Sequence, residues 1–126
     1  MSAGEAGERA AEYTFRILGW KMDRHQPAYK IFGMPRPGRF LVAILGKGCA
    51  DYTGEDRDGR FVACEVKEAK GKSMPCSRLG KKQREYMESH SQAYVLILWT
   101  ATGKVGLYKY RRTGSYKADE SLCISL

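Results

Sequence analysis

The stretch from Asp51 to Lys67, DYTGEDRDGRFVACEVK, constrains this chain more than any other. Its second half, RFVACEVK, reads as an extended strand, in which Phe61, Ala63, Glu65 and Lys67 share one face. Arg60, Val62, Cys64 and Val66 take the other face. Most of the segment is apolar on both sides, as expected for a strand covered on both sides. An acid and a lysine at the polar end of such a strand demand partners, because burying unpaired charge is costly. Upstream, TGEDRDG is a polar loop with Gly54 and Gly59 supplying turn conformations. A hairpin through that loop returns Asp51 opposite Cys64 and Glu65. Two carboxylates then stand side by side with an ammonium next to them.

Adjacent carboxylates repel and favour a divalent cation between them, most naturally Mg²⁺, with Mn²⁺ as a substitute. Such an ion acidifies a bound water and stabilises charge on a phosphoryl oxygen. Lys67 is placed to hold the attacking water or the phosphate. This is the equipment for phosphodiester hydrolysis. A rival reading takes Asp56, Asp58, Gly59 and Glu65 as positions of a calcium-binding EF-hand loop. Against it, Gly54 occupies the first ligand position, and a strand-forming segment follows where that motif requires a helix.

An Asp, a spacer, then Glu-x-Lys on a strand resembles the core of the PD-(D/E)XK nuclease superfamily. The fuller pattern, DYTG…GRFVACEVKEAKGK followed by KKQREYMESHSQAYVLIL, resembles RecU-type Holliday-junction resolvases over roughly residues 4–99. The resemblance implies an α/β, restriction-endonuclease-like core, a central mixed β-sheet flanked by helices. It also implies an Mg²⁺-dependent endodeoxyribonuclease acting on four-way junctions or other branched DNA in recombination and repair. Cutting paired strands of a junction needs two active sites, so a homodimer is implied as well. Asp51 and Glu65 would hold the metal, with the Val66 backbone carbonyl a further ligand and Lys67 positioning the water. An acid on the first helix, four residues after a Gly, would complete the shell; Gly4 and Glu8 match, with Glu12 the next candidate. Gln83 would orient water or phosphate. The same chemistry serves another superfamily nuclease of VRR-NUC type, and a nucleic-acid-binding module without activity is a further alternative.

The rest of the chain is read around this core. Residues 4–18 form a helix ended by Gly19, with Ala11, Phe15 and Leu18 on its buried stripe. Residues 20–39 are expected to be irregular, broken by Pro27, Pro35, Pro37, Gly33 and Gly38, with a short strand at Tyr29–Phe32. Arg36 and Arg39 lie where the resolvases carry a projecting stalk. Phe40–Leu45 is a compact apolar strand, and Gly46–Gly48 punctuates it. Cys49 stands where the resolvases usually have a hydroxyl residue. Ser77 is the expected N-cap of a helix reaching Ser89. Ala93–Trp99 is a buried strand parallel to the first, and Lys104–Tyr110 an edge strand.

At 126 residues the chain is expected to be a single nuclease domain, with a core at about 4–110 and a basic tail at 111–126. A net charge of +8 suits a polyanionic partner. Lys70, Lys72, Lys81 and Lys82, with Arg36 and Arg39, are the basic residues expected to follow the DNA backbone. Tyr108, Tyr110 and Tyr116 interleave with Lys109, Arg111, Arg112 and Lys117, which suits nucleic acid or an ordinary edge strand alike. The four cysteines show no metal or disulfide spacing, and His25 and His90 have no partners for a histidine-based site. The longest apolar runs are too short to span a bilayer. The acidic, Ala-rich N-terminus lacks the basic start of a signal peptide, so the chain is expected in the cytoplasm of a bacterial, archaeal or phage-infected cell.

Overall fold

A computed structural model describes the backbone of residues 4–25, 28–36, 39–45, 50–120 and 122–125, and the side chains of 4–25 and 50–120. The first helix, α1, runs Glu5–Leu18. It buries Gly7, Ala10, Ala11, Thr14 and Phe15, the spacing of one helical face. Glu5 and Glu8 occupy its first turn and Arg16 its last, matching the helix dipole. It ends where Gly19 turns left-handed at φ 75° and returns its N–H to the last turn.

Among the described residues ten strands follow it: β1 Lys21–Arg24, β2 Ala28–Arg36, β3 Arg39–Leu45, β4 Tyr52–Glu55, β5 Phe61–Ala69, β6 Ser73–Pro75, β7 Ala93–Trp99, β8 Lys104–Lys109, β9 Ser115–Lys117 and β10 Leu122–Ser125. Six make a mixed sheet in the order β1-β4-β5-β7-β8-β10. Only β5 and β7 in it are parallel, joined by a crossover that carries the second helix, α2, Lys81–Glu88. This is the α/β architecture with a central mixed sheet flanked by helices.

β5 sits in the middle of the sheet and its alternation sorts the two sides of the domain. Cys64 and Val66 pack with Ala10, Ala11 and Phe15 of α1 and with Leu96 and Leu98. Ala63 and Ala69 pack on the other side with Leu79, Met87, Val95, Ile97, Trp99, Tyr108 and Tyr116. Glu65 and Lys67 share that second side, the one that α2 covers.

Several expectations are corrected. Segment 20–39 is not irregular, because it holds β1 and then β2, which pairs with β3 as a separate two-stranded ribbon. Pro35 is tolerated within β2 because, among the described residues, that strand pairs with β3 alone. The helix expected from Ser77 is split: Cys76–Arg78 is a 3₁₀ turn and α2 starts only after Gly80. Gln83 caps it by accepting the Gly80 N–H at 3.0 Å, so Ser77 is not the N-cap. β8 is not an edge, since β10 pairs beyond it. Tyr108 and Tyr116 are buried in the core and so are not open for base stacking, while Tyr110 is half-buried and its hydroxyl donates to Glu88. Cys64 and Cys76 are buried free thiols. Residues 46–49, including Cys49, lie outside the described residues. No helix among the described residues is long and apolar enough to cross a membrane.

Gly54 also serves differently than expected. It lies within β4, between Met22 of β1 and Val62 of β5, not in the turn. A Cβ there would sit 2.7 Å from the Met22 Cα and 2.8 Å from the Lys21 carbonyl carbon. Both are backbone atoms and cannot swing aside. Gly54→Ala is therefore expected to prise β1 from β4 and cost about 1–3 kcal/mol, the usual range for overpacking. Urea denaturation measures it, with Gly71→Ala, which meets open space, as the near-neutral control.

Candidate active site

The β4–β5 hairpin does what the loop sequence predicts. Asp56 closes it, its Oδ1 accepting the N–H groups of Asp58 and Arg60 at 2.8 and 2.9 Å. Gly59 takes φ 80°, and Gln92 donates to the other Asp56 oxygen at 3.1 Å. Those hydrogen bonds, led by the Arg60 N–H, hold the Asp56 carboxyl below its usual range. Asp56 is thus a turn staple, and β5 follows it with no exiting helix, which removes the EF-hand reading.

Tyr52 pairs with Cys64 as the last rung of the hairpin. Asp51 lies one step beyond, opposite Glu65, and two crossing bonds lock them. The Asp51 N–H donates to Glu65 Oε1 at 3.2 Å, and the Val66 N–H donates to Asp51 Oδ2 at 2.9 Å. Glu65 is fully buried and Lys67 is 7% exposed. Lys67 Nζ lies 3.7 Å from Glu65 Oε2, the oxygen that also accepts Gln83 Nε2 at 2.6 Å. Gln83 therefore works with both ends of its amide, capping α2 and holding the acid. Asp51, Glu65, Lys67 and Gln83 are brought together as expected.

The first-helix acids stand at the edge of this group. Glu8 lies near enough that its charge helps raise the Asp51 pKa, but its Oε1 accepts Arg24 Nη1 at 2.6 Å. Glu12 is exposed and accepts the Tyr52 hydroxyl at 3.1 Å. Glu8 is thus the helix acid closer in role to the site. Arg24 is a site residue the sequence reading missed, because the segment holding it carries no strand signal. Its place follows from pairing with Tyr52 across β1 and β4. Lys70, Lys72, Lys81 and Lys82 are exposed, the first two past the end of β5 and the others in the first turn of α2. Arg36 and Arg39 pair at the far end of the β2–β3 ribbon, and their side chains lie outside the described residues.

Electrostatics follow from burial. Loss of solvent pushes the Glu65 carboxyl up to about 8, the neighbouring Asp51 charge adds to the rise, and Lys67 opposes it. Asp51 is raised too, by burial first, against the pull of the Val66 N–H and Lys67. The two carboxyls lie close enough that each disfavours ionisation of the other, so their charges oppose one another inside the protein.

The donor set suits a divalent cation. Among the described residues no group of three or more His, Cys, Asp and Glu side chains is disposed to hold an ion. With Glu8 turned to Arg24, two carboxylates remain, the number that Mg²⁺ typically takes while keeping several waters. A backbone oxygen is also at hand. The N–H and C=O of one strand residue point the same way, so the Val66 carbonyl lies on Asp51's side, past the last rung of the hairpin.

The raised Glu65 pKa fixes a sign. Without metal the folded protein keeps a proton that the unfolded chain, near its ordinary value of 4.5, has released. Stability is then greatest at the acid end of this window and is lost as pH rises toward about 8. Thermal melts in EDTA are expected to fall by a few kcal/mol in equivalent stability across the window, and Glu65→Gln to flatten the slope.

No protein-family model matches the chain and no curated protein matches it, so the case for this site rests on its own geometry.

Proposed function

We propose that this chain is a metal-dependent endodeoxyribonuclease that hydrolyses phosphodiester bonds in branched DNA, most like a Holliday-junction resolvase, acting as a homodimer. The observation that carries the reading is the buried Asp51–Glu65 pair, cross-braced by two backbone N–H groups, with Lys67 at 3.7 Å. A structural acid pair has no need of such a setting, since its burial raises both pKa values and costs stability.

Asp51, Glu65 and the Val66 carbonyl would hold Mg²⁺ or Mn²⁺, which would supply Lewis-acid polarisation of a phosphoryl oxygen and acidification of a water. Lys67 presents its ammonium to that water or to a non-bridging oxygen. Its near-complete burial, with the head 3.7 Å from Glu65 Oε2, leaves that head few positions. Gln83 fixes the rotamer of Glu65. Lys70, Lys72, Lys81 and Lys82 lie at exposed positions after β5 and at the start of α2, where they serve the DNA backbone without reading sequence. The junction preference and the dimer rest on the sequence resemblance.

The test compares a four-way junction with matched linear duplex, in Mg²⁺ or EDTA, for wild type and Glu65→Ala. Symmetric junction nicks, lost in EDTA and in the variant, are the expected result. Cutting without junction preference points to a general nuclease of the same chemistry, and junction binding without cutting to a binding module. Gln83→Ala keeps both acids but frees Glu65, and isothermal titration is expected to show Mg²⁺ affinity weakened about 10–100-fold, as for other groups that orient a ligand.

A further inference from the structure

The acid best placed on α1 to complete the site is engaged by a cation of the chain itself. Glu8 Oε1 and Arg24 Nη1 lie 2.6 Å apart, in a pair 31% and 37% exposed. Glu8 adds to the charge felt by Asp51, so the pair borders the acid cluster. Arg24 ends β1 opposite Tyr52, the residue next to Asp51, and the His25 N–H that follows donates to the Asp51 carbonyl at 2.7 Å. The backbone of Arg24 is therefore held by the sheet beside Asp51, and its partly exposed guanidinium reaches Glu8. It carries five N–H donors in a planar fork suited to phosphate as well as carboxylate. Only one of those donors is used on Glu8.

We propose that Arg24 is an exchange residue: it neutralises Glu8 in the metal-free protein and turns to a DNA phosphate once Glu8 faces a divalent cation. The inference rests on the nuclease reading, in which Glu8 belongs to the metal's surroundings. The charge of Glu8 opposes that of Asp51, and Arg24 relieves this repulsion before the metal arrives. The released guanidinium then faces solvent beside the site, where the backbone of the bound strand lies. Metal and DNA binding are coupled through it, because each favours the state in which Arg24 has left Glu8.

This role differs in sign from simple positioning. If Arg24 only held Glu8 in place for the metal, removing it would weaken metal binding. If it competes with the metal for Glu8, removing it tightens metal binding while weakening DNA binding. The experiment measures Ca²⁺ and Mg²⁺ affinity without DNA by isothermal titration for wild type, Arg24→Gln and Arg24→Lys. DNA affinity is measured in Ca²⁺ as a function of salt. Thermal melts check that each variant is folded, which the partial exposure of the pair favours.

Arg24→Gln is expected to bind metal about two- to fivefold more tightly, the scale on which a partly exposed ion pair competes for one carboxylate. Its DNA affinity falls, and its salt slope drops by about 0.9 for the lost phosphate contact. Arg24→Lys keeps the charge and restores most of the salt slope. Weaker metal binding by Arg24→Gln, or an unchanged salt slope, overturns the exchange role while leaving the nuclease reading in place. A wild type that neither binds metal nor cuts DNA removes both.

Discussion

Two carboxyl groups that would repel one another are pinned together by backbone amides, and the site depends on that constraint. The Asp51 N–H holds Glu65 and the Val66 N–H holds Asp51, so each acid is fixed by the strand that bears the other. A side-chain contact alone would let the pair rotate apart. Here separation requires giving up a hydrogen bond to the backbone of the facing segment. Neighbouring elements contribute: Asp56 and Gly59 close the hairpin loop, and Gly54 lets β1 approach β4.

α2 belongs to the same logic. It is only eight residues long and buries one residue, Met87, so packing alone secures it weakly. Gln83 ties its first turn to Glu65, at 2.6 Å, and to its own start at Gly80. On the opposite face, Glu68 accepts the Gly7 N–H at 3.0 Å and fixes the start of α1 against the end of β5. One strand thus addresses both helices through acids three residues apart, which an alternating strand sends to opposite faces.

What was legible in the sequence follows from how local each signal is. The alternation of β5, the Gly19 stop, the apolar run of β7 and the return of Asp51 to Glu65 are all encoded within short windows. The start of α2 was misplaced because Ser77 is a good cap by type, while the cap used is a side chain inside the helix. Gly54 read as a turn residue because its reason, the backbone of β1, lies thirty residues upstream. Prolines masked β2, since a strand without a second neighbour can hold residues that a central strand cannot. Tyr108 and Tyr116 looked like a surface pattern because basic residues flank them, yet Arg111 lies over both rings and itself pairs with Glu120. Arg24 had no local mark at all. Its importance comes from a pairing between strands that twenty-seven residues of chain separate.

The β2–β3 ribbon is inserted in the chain between β1 and Asp51, and among the described residues its two strands pair only with each other. The β1–β4 ladder closes the excursion at Arg24 and Tyr52, and the His25–Asp51 backbone bond seals its base. The sheet is therefore indifferent to the length of what lies beyond that seal. Each doubling of such an excursion costs only about 0.6 kcal/mol in closure entropy. The length of the ribbon and the geometry of the Asp51–Glu65 pair are separate variables in this fold, so lineages or designers can alter one while the other stands still.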